Sequence, residues 1–320
     1  MSLEGMVEER ERFEATLRSS VETGDVELAK MAQHLMLAGG KRLRPMFALA
    51  SGWNGAGVPS ATAVVLGAVA CELVHIGSLY HDDVMDESST RRGVETANVL
   101  WGNRNAIVAG DFLLARASEL AADVGGEAPR ILAQTIKKLC EGQAEELRTV
   151  GAVDRSVDSY LKSIKGKTAS LFAAAARLGA VGGGREAEEI EAATEVGESF
   201  GMVFQIADDV LDLVATAVEL GKPVGHDMME GVYTLPVLLT LQGGGGESLR
   251  TLLEHGLLPD KADAAVRIVR AGGGIIEAVA MAEKFADRAE QAGRTLAKTP
   301  ANNALVGAAR ELVEDLQKRI

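Results

Sequence analysis

The hydrophobic positions of this chain recur with the spacing of a helix along almost its whole length. Alanine and leucine dominate the periodic segments and alternating runs of β-branched residues are absent, so the pattern predicts helices rather than strands. One helix is expected from Ser60, which follows Pro59 and is suited to cap it, to about Asp86. Further helices are expected over 111–124, 129–149, 156–180, 186–214, 262–270, 275–296 and 304–318. The segment 61–86 is apolar on nearly every side and belongs at the centre of the fold. The segment 186–212 begins acidic and turns apolar, which places its second half centrally as well. Glycine clusters at 39–40, 182–184, 243–246 and 272–274 separate these segments as interhelical turns. None is long or polar enough to be a linker, so one all-α domain over residues 1–320 is expected.

Composition narrows the class of function. With 320 residues, 47% of them hydrophobic, the chain can bury a large core. A net charge of −13 argues against nucleic acid as a partner. It leaves room for a phosphate-bearing small substrate where cations or metal ions gather locally. The two cysteines, Cys71 and Cys140, sit in apolar stretches outside any CxxC pair, which points to a reducing, cytoplasmic setting without a disulfide framework or zinc site. The glutamate-rich start lacks the basic-then-apolar run of a signal peptide. No uninterrupted apolar stretch approaches the roughly 20 residues of a membrane span; the nearest, 61–80, contains Glu72 and His75. A soluble protein is expected.

Candidate chemistry begins with two aspartate triads. Asp82, Asp83 and Asp86 stand at i, i+1 and i+4, and on a helix the first and last share a face about 6 Å apart along the axis. Such a pair can hold Mg²⁺, which takes a few carboxylates together with water and substrate phosphates. A lone triad could equally be a solvated acidic helix end. This one closes the largely apolar run 76–80, and Asp208, Asp209 and Asp212 repeat the spacing after Phe204, Ile206 and Ala207. Buried carboxylates without counter-charge are expensive, so two such helix ends imply metal ions between facing helices. Cations suited to phosphate accompany them. Gly39-Gly40-Lys41-Arg42-Leu43-Arg44-Pro45 is a glycine turn followed by bases, with Pro45 suited to a first helical position. Arg91-Arg92-Gly93 follows the first triad, and Lys167-Thr168 and Lys222 complete the set. Taken singly, each of these is an ordinary surface charge.

In this order the motifs GGKRLRP, His75 with HDDVMDESSTRRG, GKT at 166–168, and FQIADDVLD with GKPVGHD closely resemble those of the trans-prenyl (polyprenyl) diphosphate synthases, from Gly39 to about Leu241. The resemblance implies a large bundle of antiparallel helices around a deep central cavity, usually a homodimer. It implies extension of an allylic diphosphate by isopentenyl diphosphate, with release of pyrophosphate and with about three Mg²⁺ ions as cofactor. Carried onto matching positions, Asp82, Asp86 and Asp208 are the metal ligands, while Asp83, Asp209 and Asp212 complete the triads. Lys41, Arg44, His75 and Arg92 hold isopentenyl diphosphate; Arg91, Lys167 and Lys222 hold the allylic diphosphate; Thr168 and Gln205 lie beside the developing allylic cation. Two positions depart from the family pattern: Val232 stands where a lysine commonly follows Glu-Gly, and Gln143 stands where a glutamate is common.

In this family the growing tail runs down the helix that bears the first triad, and bulky aromatics four or five positions before it stop elongation early. Here those positions are Ser78 and Gly77, with Val74 and Ala70 among the residues deeper still. Each helical turn of about 5.4 Å matches roughly one isoprene unit, so the small wall suggests a long tail; the resemblance to the family's long-chain members, which serve quinone side chains, implies about six to eight units, C30–C40. The alternative is that these small residues let another helix pack closely. Each unit buries five carbons, roughly 4 kcal/mol of apolar transfer, so release is expected to be slow and assisted by a transient membrane contact or by a carrier. The rival readings are a geranylgeranyl (C20) synthase, a class I terpene cyclase, and a non-catalytic regulatory subunit. The cyclase usually lacks GGKRLRP, and regulatory subunits typically lose a triad that is intact here.

Overall fold

The computed structural model describes residues 6–55, 58–216, 219, 223–243 and 246–320. The helices are α1 (Val7–Ser20), α2 (Val26–Leu37), α3 (Leu43–Gly52), α4 (Thr62–Met85), α5 (Ala97–Trp101), α6 (Asn103–Val124), α7 (Ala128–Arg148), α8 (Val157–Ile164), α9 (Ser170–Gly182) and α10 (Ala187–Val214). They continue as α11 (His226–Met229), α12 (Leu235–Gln242), α13 (Gly246–Leu253), α14 (Ala262–Ala271), α15 (Gly274–Gly293) and α16 (Pro300–Gln317). A π-helical turn, Lys165–Ala169, joins α8 to α9. The all-α expectation therefore holds, apart from one hairpin of two-residue strands, β1 (Thr90–Arg91) and β2 (Val94–Glu95).

The chain forms two compact units: Met1–Ile136 with Ala174–Thr194 and Thr295–Leu305, and Lys137–Ala173 with Glu195–Arg294 and Val306–Ile320. Four of the five divisions fall inside α7, α9, α10 and α16, so these helices contribute to both, and the fifth lies between α15 and α16.

In the first unit α4 is the central element, and α6 is its principal neighbour, with α1 and α3 also packed on it. Fourteen of its residues are buried. By length and composition α4 could cross a membrane, which corrects the expectation that no segment comes close; yet 67% of its apolar window is buried inside the fold. Its apolarity therefore serves a protein core. The hydroxyl of buried Tyr80 donates to the Met31 carbonyl and accepts the Leu35 N–H at 3.3 Å, tying α4 to α2.

In the second unit Gly142 of α7 and Gly166 of the π turn meet almost backbone to backbone. A Cβ at Gly142 would lie 2.4 Å from the Lys167 nitrogen, and one at Gly166 would lie 2.7 Å from the Lys138 carbonyl oxygen. The Ser163 hydroxyl donates to the Gly142 carbonyl at 3.0 Å across the same contact. The extra residue of the π turn lets the helix accommodate this approach and re-aims the side chains that follow. Phe172, Phe200 and Phe204 pack beside it, with Phe172 ring centroids 5.0 and 5.6 Å from the other two.

Several boundaries differ from the sequence pattern for identifiable reasons. Ser60 does not cap α4: its N–H donates to Glu9 at 2.9 Å, its hydroxyl is buried without a partner among the described residues, and Ala61 is the cap residue. The α6 helix begins at Asn103 rather than near 111, because exposed Ile107 and Val108 obscure its amphipathic period. Pro45 is the third residue of α3, not the first. Ser156 does cap α8, accepting the Ser159 N–H at 3.1 Å.

Candidate functional site

In the first unit the end of α4 carries the first triad. Asp82 is half-buried, Asp83 fully buried and Asp86 exposed. Asp86 stands one turn beyond Asp82 and donates its N–H to the Asp82 carbonyl at 2.8 Å, as the helical spacing requires. The helix stops because Glu87 adopts a left-handed φ of 50°, and the Ser88 N–H returns to the Asp83 carbonyl at 3.0 Å. The hairpin then brings Arg91 back to Asp83, and its Nε donates to Oδ1. Burial pushes the Asp83 carboxyl above its usual range, with Arg91 opposing the shift.

Arg92 and Gly93 form the hairpin turn with φ of 53° and 78°, the positive pair a two-residue loop favours. The Arg92 guanidinium donates to the carbonyls of Leu35, at 3.0 Å, and Gly39. Both lie at the carboxyl end of α2, where a cation is favoured. Gly40 lets it lie close, since a Cβ there would stand 3.1 Å from the guanidinium carbon. Of the three bases in GGKRLRP, Arg42 is a structural strut: 6% exposed, it donates to Glu14 at 3.0 Å, Glu72 at 2.8 Å and the Met36 carbonyl at 2.8 Å. Lys41 is exposed and Arg44 half-buried. Burial lowers Arg44 to about 10, partly offset by Glu72.

His75, Ser78, Leu79 and Asp82 form one half-buried stripe on α4. Burial and then the charges of Arg44, Arg92, Arg91 and Arg42 hold the His75 imidazole well below its ordinary range, so it is neutral near pH 7. The tunnel reading needs correction here. A Cβ on Gly77 would point at α6, 3.1 Å from the Gly110 carbonyl oxygen and 3.4 Å from Leu113 and Leu114. Gly77 is thus a helix-packing position, the alternative already recognised for small residues. Ala70, Cys71 and Val74 have no exposure, so of the four chain-length positions only Ser78 lies on the accessible stripe.

In the second unit α10 carries the second triad with a different division of labour. Asp208 is exposed, whereas Asp209 and Asp212 are each 3% exposed. Asp209 accepts the Tyr160 hydroxyl on Oδ2 and the Gln205 amide on Oδ1 at 2.9 Å. Gln205 in turn accepts the Thr168 hydroxyl at 2.7 Å, giving a relay from Thr168 through Gln205 to Asp209. Asp212 takes the Gly225 N–H on its backbone carbonyl at 2.9 Å and the Asp227 N–H on its carboxylate at 3.4 Å. Burial, then neighbouring Asp227, drives the Asp209 carboxyl well above the usual range. Lys167 pairs with Glu146. Val232 closes a turn through its N–H to the Asp227 carbonyl at 2.8 Å, and Gln143 keeps a buried amide oxygen without a partner among the described residues. Lys222 lies outside the described residues.

The outward carboxylates are hard oxygen donors of the type Mg²⁺ prefers. Among the described residues no three acidic, histidine or thiol groups converge into a closed cage. That fits a cation that completes its shell with water and substrate oxygens. Tyr160, Glu146 and Asp227 were not singled out from the sequence. The available signals were that Asp227 closes the GKPVGHD motif and that Tyr160, one of three tyrosines, precedes Lys167 by two helical turns.

The chain is similar to known proteins over most of its length. Residues 25–269 match the family described as polyprenyl synthetase. The chain is 40% identical to the nonaprenyl diphosphate synthase of Mycobacterium tuberculosis over 298 residues, 92% of this chain and 88% of that protein. Its structure resembles the crystal structure of a decaprenyl diphosphate synthase from Rhodobacter capsulatus, with TM-score 0.88, 32% identity and 97% of each chain covered. It equally resembles a polyprenyl synthase from Caulobacter crescentus crystallised with calcium and isoprenyl diphosphate, with TM-score 0.88, 31% identity, and 96% of this chain and 95% of that one covered. The chain belongs to the polyprenyl synthetase family.

Proposed function

We propose that this polyprenyl synthetase is a chain-elongating trans-prenyltransferase. It condenses isopentenyl diphosphate with an allylic diphosphate of farnesyl or geranylgeranyl type and releases pyrophosphate. One observation carries the reading: each triad turns its middle aspartate inward, to Arg91 in one unit and to Tyr160 and Gln205 in the other, while Asp82, Asp86 and Asp208 keep solvent-accessible carboxylates. These three are the Mg²⁺ ligands in this reading, for about three ions. When bound, Mg²⁺ neutralises the charge that builds on the departing diphosphate.

The chain's own groups do the rest. Lys41, Arg44, Arg92 and neutral His75 bind the isopentenyl diphosphate; an uncharged imidazole there donates or accepts a hydrogen bond without adding to four nearby guanidinium charges. Arg91, through nitrogens not used by Asp83, holds the allylic diphosphate with Lys167 and Lys222. Thr168 and Gln205 stand beside the reacting carbon, and apolar packing around them keeps water from an allylic cation. The proton lost in forming the new double bond passes to the departing pyrophosphate. The chain works as one domain in a cytoplasmic setting with transient membrane contact at product release. It works as a homodimer, a reading supported by exposed Val99, Leu100, Ile107 and Val108 on α5 and α6.

The product length proposed is about C30–C40, since Ser78 leaves the accessible stripe open one helical turn below Asp82. Complete burial of Val74 and Ala70 favours a second reading, a C20 product. Incubation with farnesyl and isopentenyl diphosphates and Mg²⁺, followed by sizing of the products, decides between them. Termination at twenty carbons establishes the shorter reading, and no pyrophosphate release by the protein alone rejects the enzyme.

A further inference from the structure

Arg155, in the loop between α7 and α8, is 7% exposed, yet its Nε and Nη2 are buried and make no hydrogen bond among the described residues. Its remaining nitrogen, Nη1, reaches the Tyr233 carbonyl only at 3.5 Å. A buried guanidinium with two orphaned nitrogens costs more than one long hydrogen bond returns, and an apolar residue of similar volume would be cheaper. What the guanidinium does have is a ring: its carbon lies 5.6 Å from the Tyr160 centroid, within cation–π range. The Tyr160 hydroxyl donates to Asp209, and Asp209 is tied through Gln205 to Thr168. The same loop is joined to the return segment by the Gly151 N–H to the Gly231 carbonyl at 2.8 Å. That segment, Gly231-Val232-Tyr233, carries no cation of its own.

We propose that Arg155 is a positioning residue of the second triad: its charge over the Tyr160 ring and its reach to the Tyr233 carbonyl fix the Tyr160 hydroxyl on Asp209, and so hold Asp208 turned outward. The carboxylates of Glu146, Glu145 and Asp209 lie within its electrostatic reach, so Arg155 also offsets the repulsion among acids that this segment concentrates. Arg155 acts through Tyr160 and touches no reacting atom. The proposal rests on the second triad binding magnesium diphosphate, and its test separates the two.

Wild type, Arg155→Met, Arg155→Lys, Tyr160→Phe and the Met/Phe double variant are compared in three ways. Steady-state kinetics use farnesyl and isopentenyl diphosphates, calorimetry measures binding of Mg²⁺ with inorganic pyrophosphate, and Tm reports folding. Arg155→Met is expected to lower kcat about tenfold and to weaken magnesium pyrophosphate binding several-fold, with KM for isopentenyl diphosphate within about twofold. Arg155→Lys recovers part of both losses. Because the effect passes through Tyr160, the double variant is no worse than Tyr160→Phe. Wild-type kcat and binding in Arg155→Met, losses that multiply in the double variant, or losses that follow Tm alone overturn the proposal. Should Arg155→Met fail to fold, Arg155→Lys and its combination with Tyr160→Phe are judged by the same criterion. A wild type that binds magnesium pyrophosphate but makes no prenyl product fails the functional reading and leaves the binding and coupling results to judge Arg155.

Discussion

The two triads share a spacing and differ in what holds them. On α4, Asp83 is paired with a cation, and Asp82 and Asp86 remain accessible. On α10, Asp209 is held by a phenol and an amide, Asp212 receives a backbone N–H, and Asp208 alone is exposed. One triad therefore offers two outward carboxylates and the other offers one. The inward aspartates differ as sharply: Asp83 is hydrogen-bonded to a counter-charge, while Asp209 is bonded to neutral donors beside other acids, with Arg155 reaching it only through space. Identical motifs can thus be one ion-paired and one neutral-bonded scaffold, depending on the neighbours that the fold supplies.

The strongest way to break this comparison is to remove an outward carboxylate. Asp82→Ala and Asp208→Ala are each expected to cost about a thousandfold in kcat/KM with Tm unchanged. A Tm loss in step with activity would show that these groups are structural.

Next in size is the packing of α4. Gly77→Phe should destabilise by about 3 kcal/mol through overpacking against α6, seen as a lowered Tm. Ser78→Phe should leave Tm nearly unchanged and shorten the product. Shortening by Gly77→Phe in a protein of normal Tm would restore the tunnel role that its contacts with α6 deny.

The inward aspartates should respond to amide substitution in metal-stripped protein to different degrees. Burial raises both carboxyls, but at Asp83 the lost ion pair with Arg91 offsets the relief, so Asp83→Asn should leave Tm nearly unchanged. Asp209→Asn should raise stability at pH 8, because it removes a carboxylate whose charge burial disfavours. A carboxyl raised in the folded state binds its proton more tightly there than in the unfolded chain. Its penalty is complete above the folded value and fades as pH falls through that value toward the ordinary carboxylate range. The advantage of Asp209→Asn should therefore shrink on acidification, read as Tm against pH. An advantage independent of pH would mean that the Asp209 carboxyl titrates alike in the folded and the unfolded chain, and that burial does not disfavour its charge.

The smallest effect belongs to Lys41. Exposed as it is, Lys41→Ala should raise KM for isopentenyl diphosphate several-fold, with no change in Tm. An unchanged KM would remove it from the site.

Much of this was legible in the chain because it rests on local chemistry. The apolar run over 61–86 marks a core helix whatever packs on it, and the structure forms that helix as Thr62–Met85. Arg42 shows the limit: three bases in one motif look equivalent, but only a fold that brings Glu14 and Glu72 to it makes Arg42 internal while Lys41 stays in solvent. Ile107 and Val108 concealed the start of α6 because an apolar residue on an exposed face breaks the pattern by which helices are read.

By itself the sequence determined the helical class, the order of the glycine-and-base motifs relative to the aspartates and the i, i+1, i+4 geometry of each triad, since all three follow from covalent order and the rise of a helix. Tertiary structure alone decided that Gly77 faces α6 rather than a tail, that Asp83 takes Arg91 while Asp209 takes Tyr160, and that Arg155 is buried over a ring. Burial and partners come from residues distant in the chain, and they set the charge and direction of a carboxylate more strongly than its neighbours in sequence do.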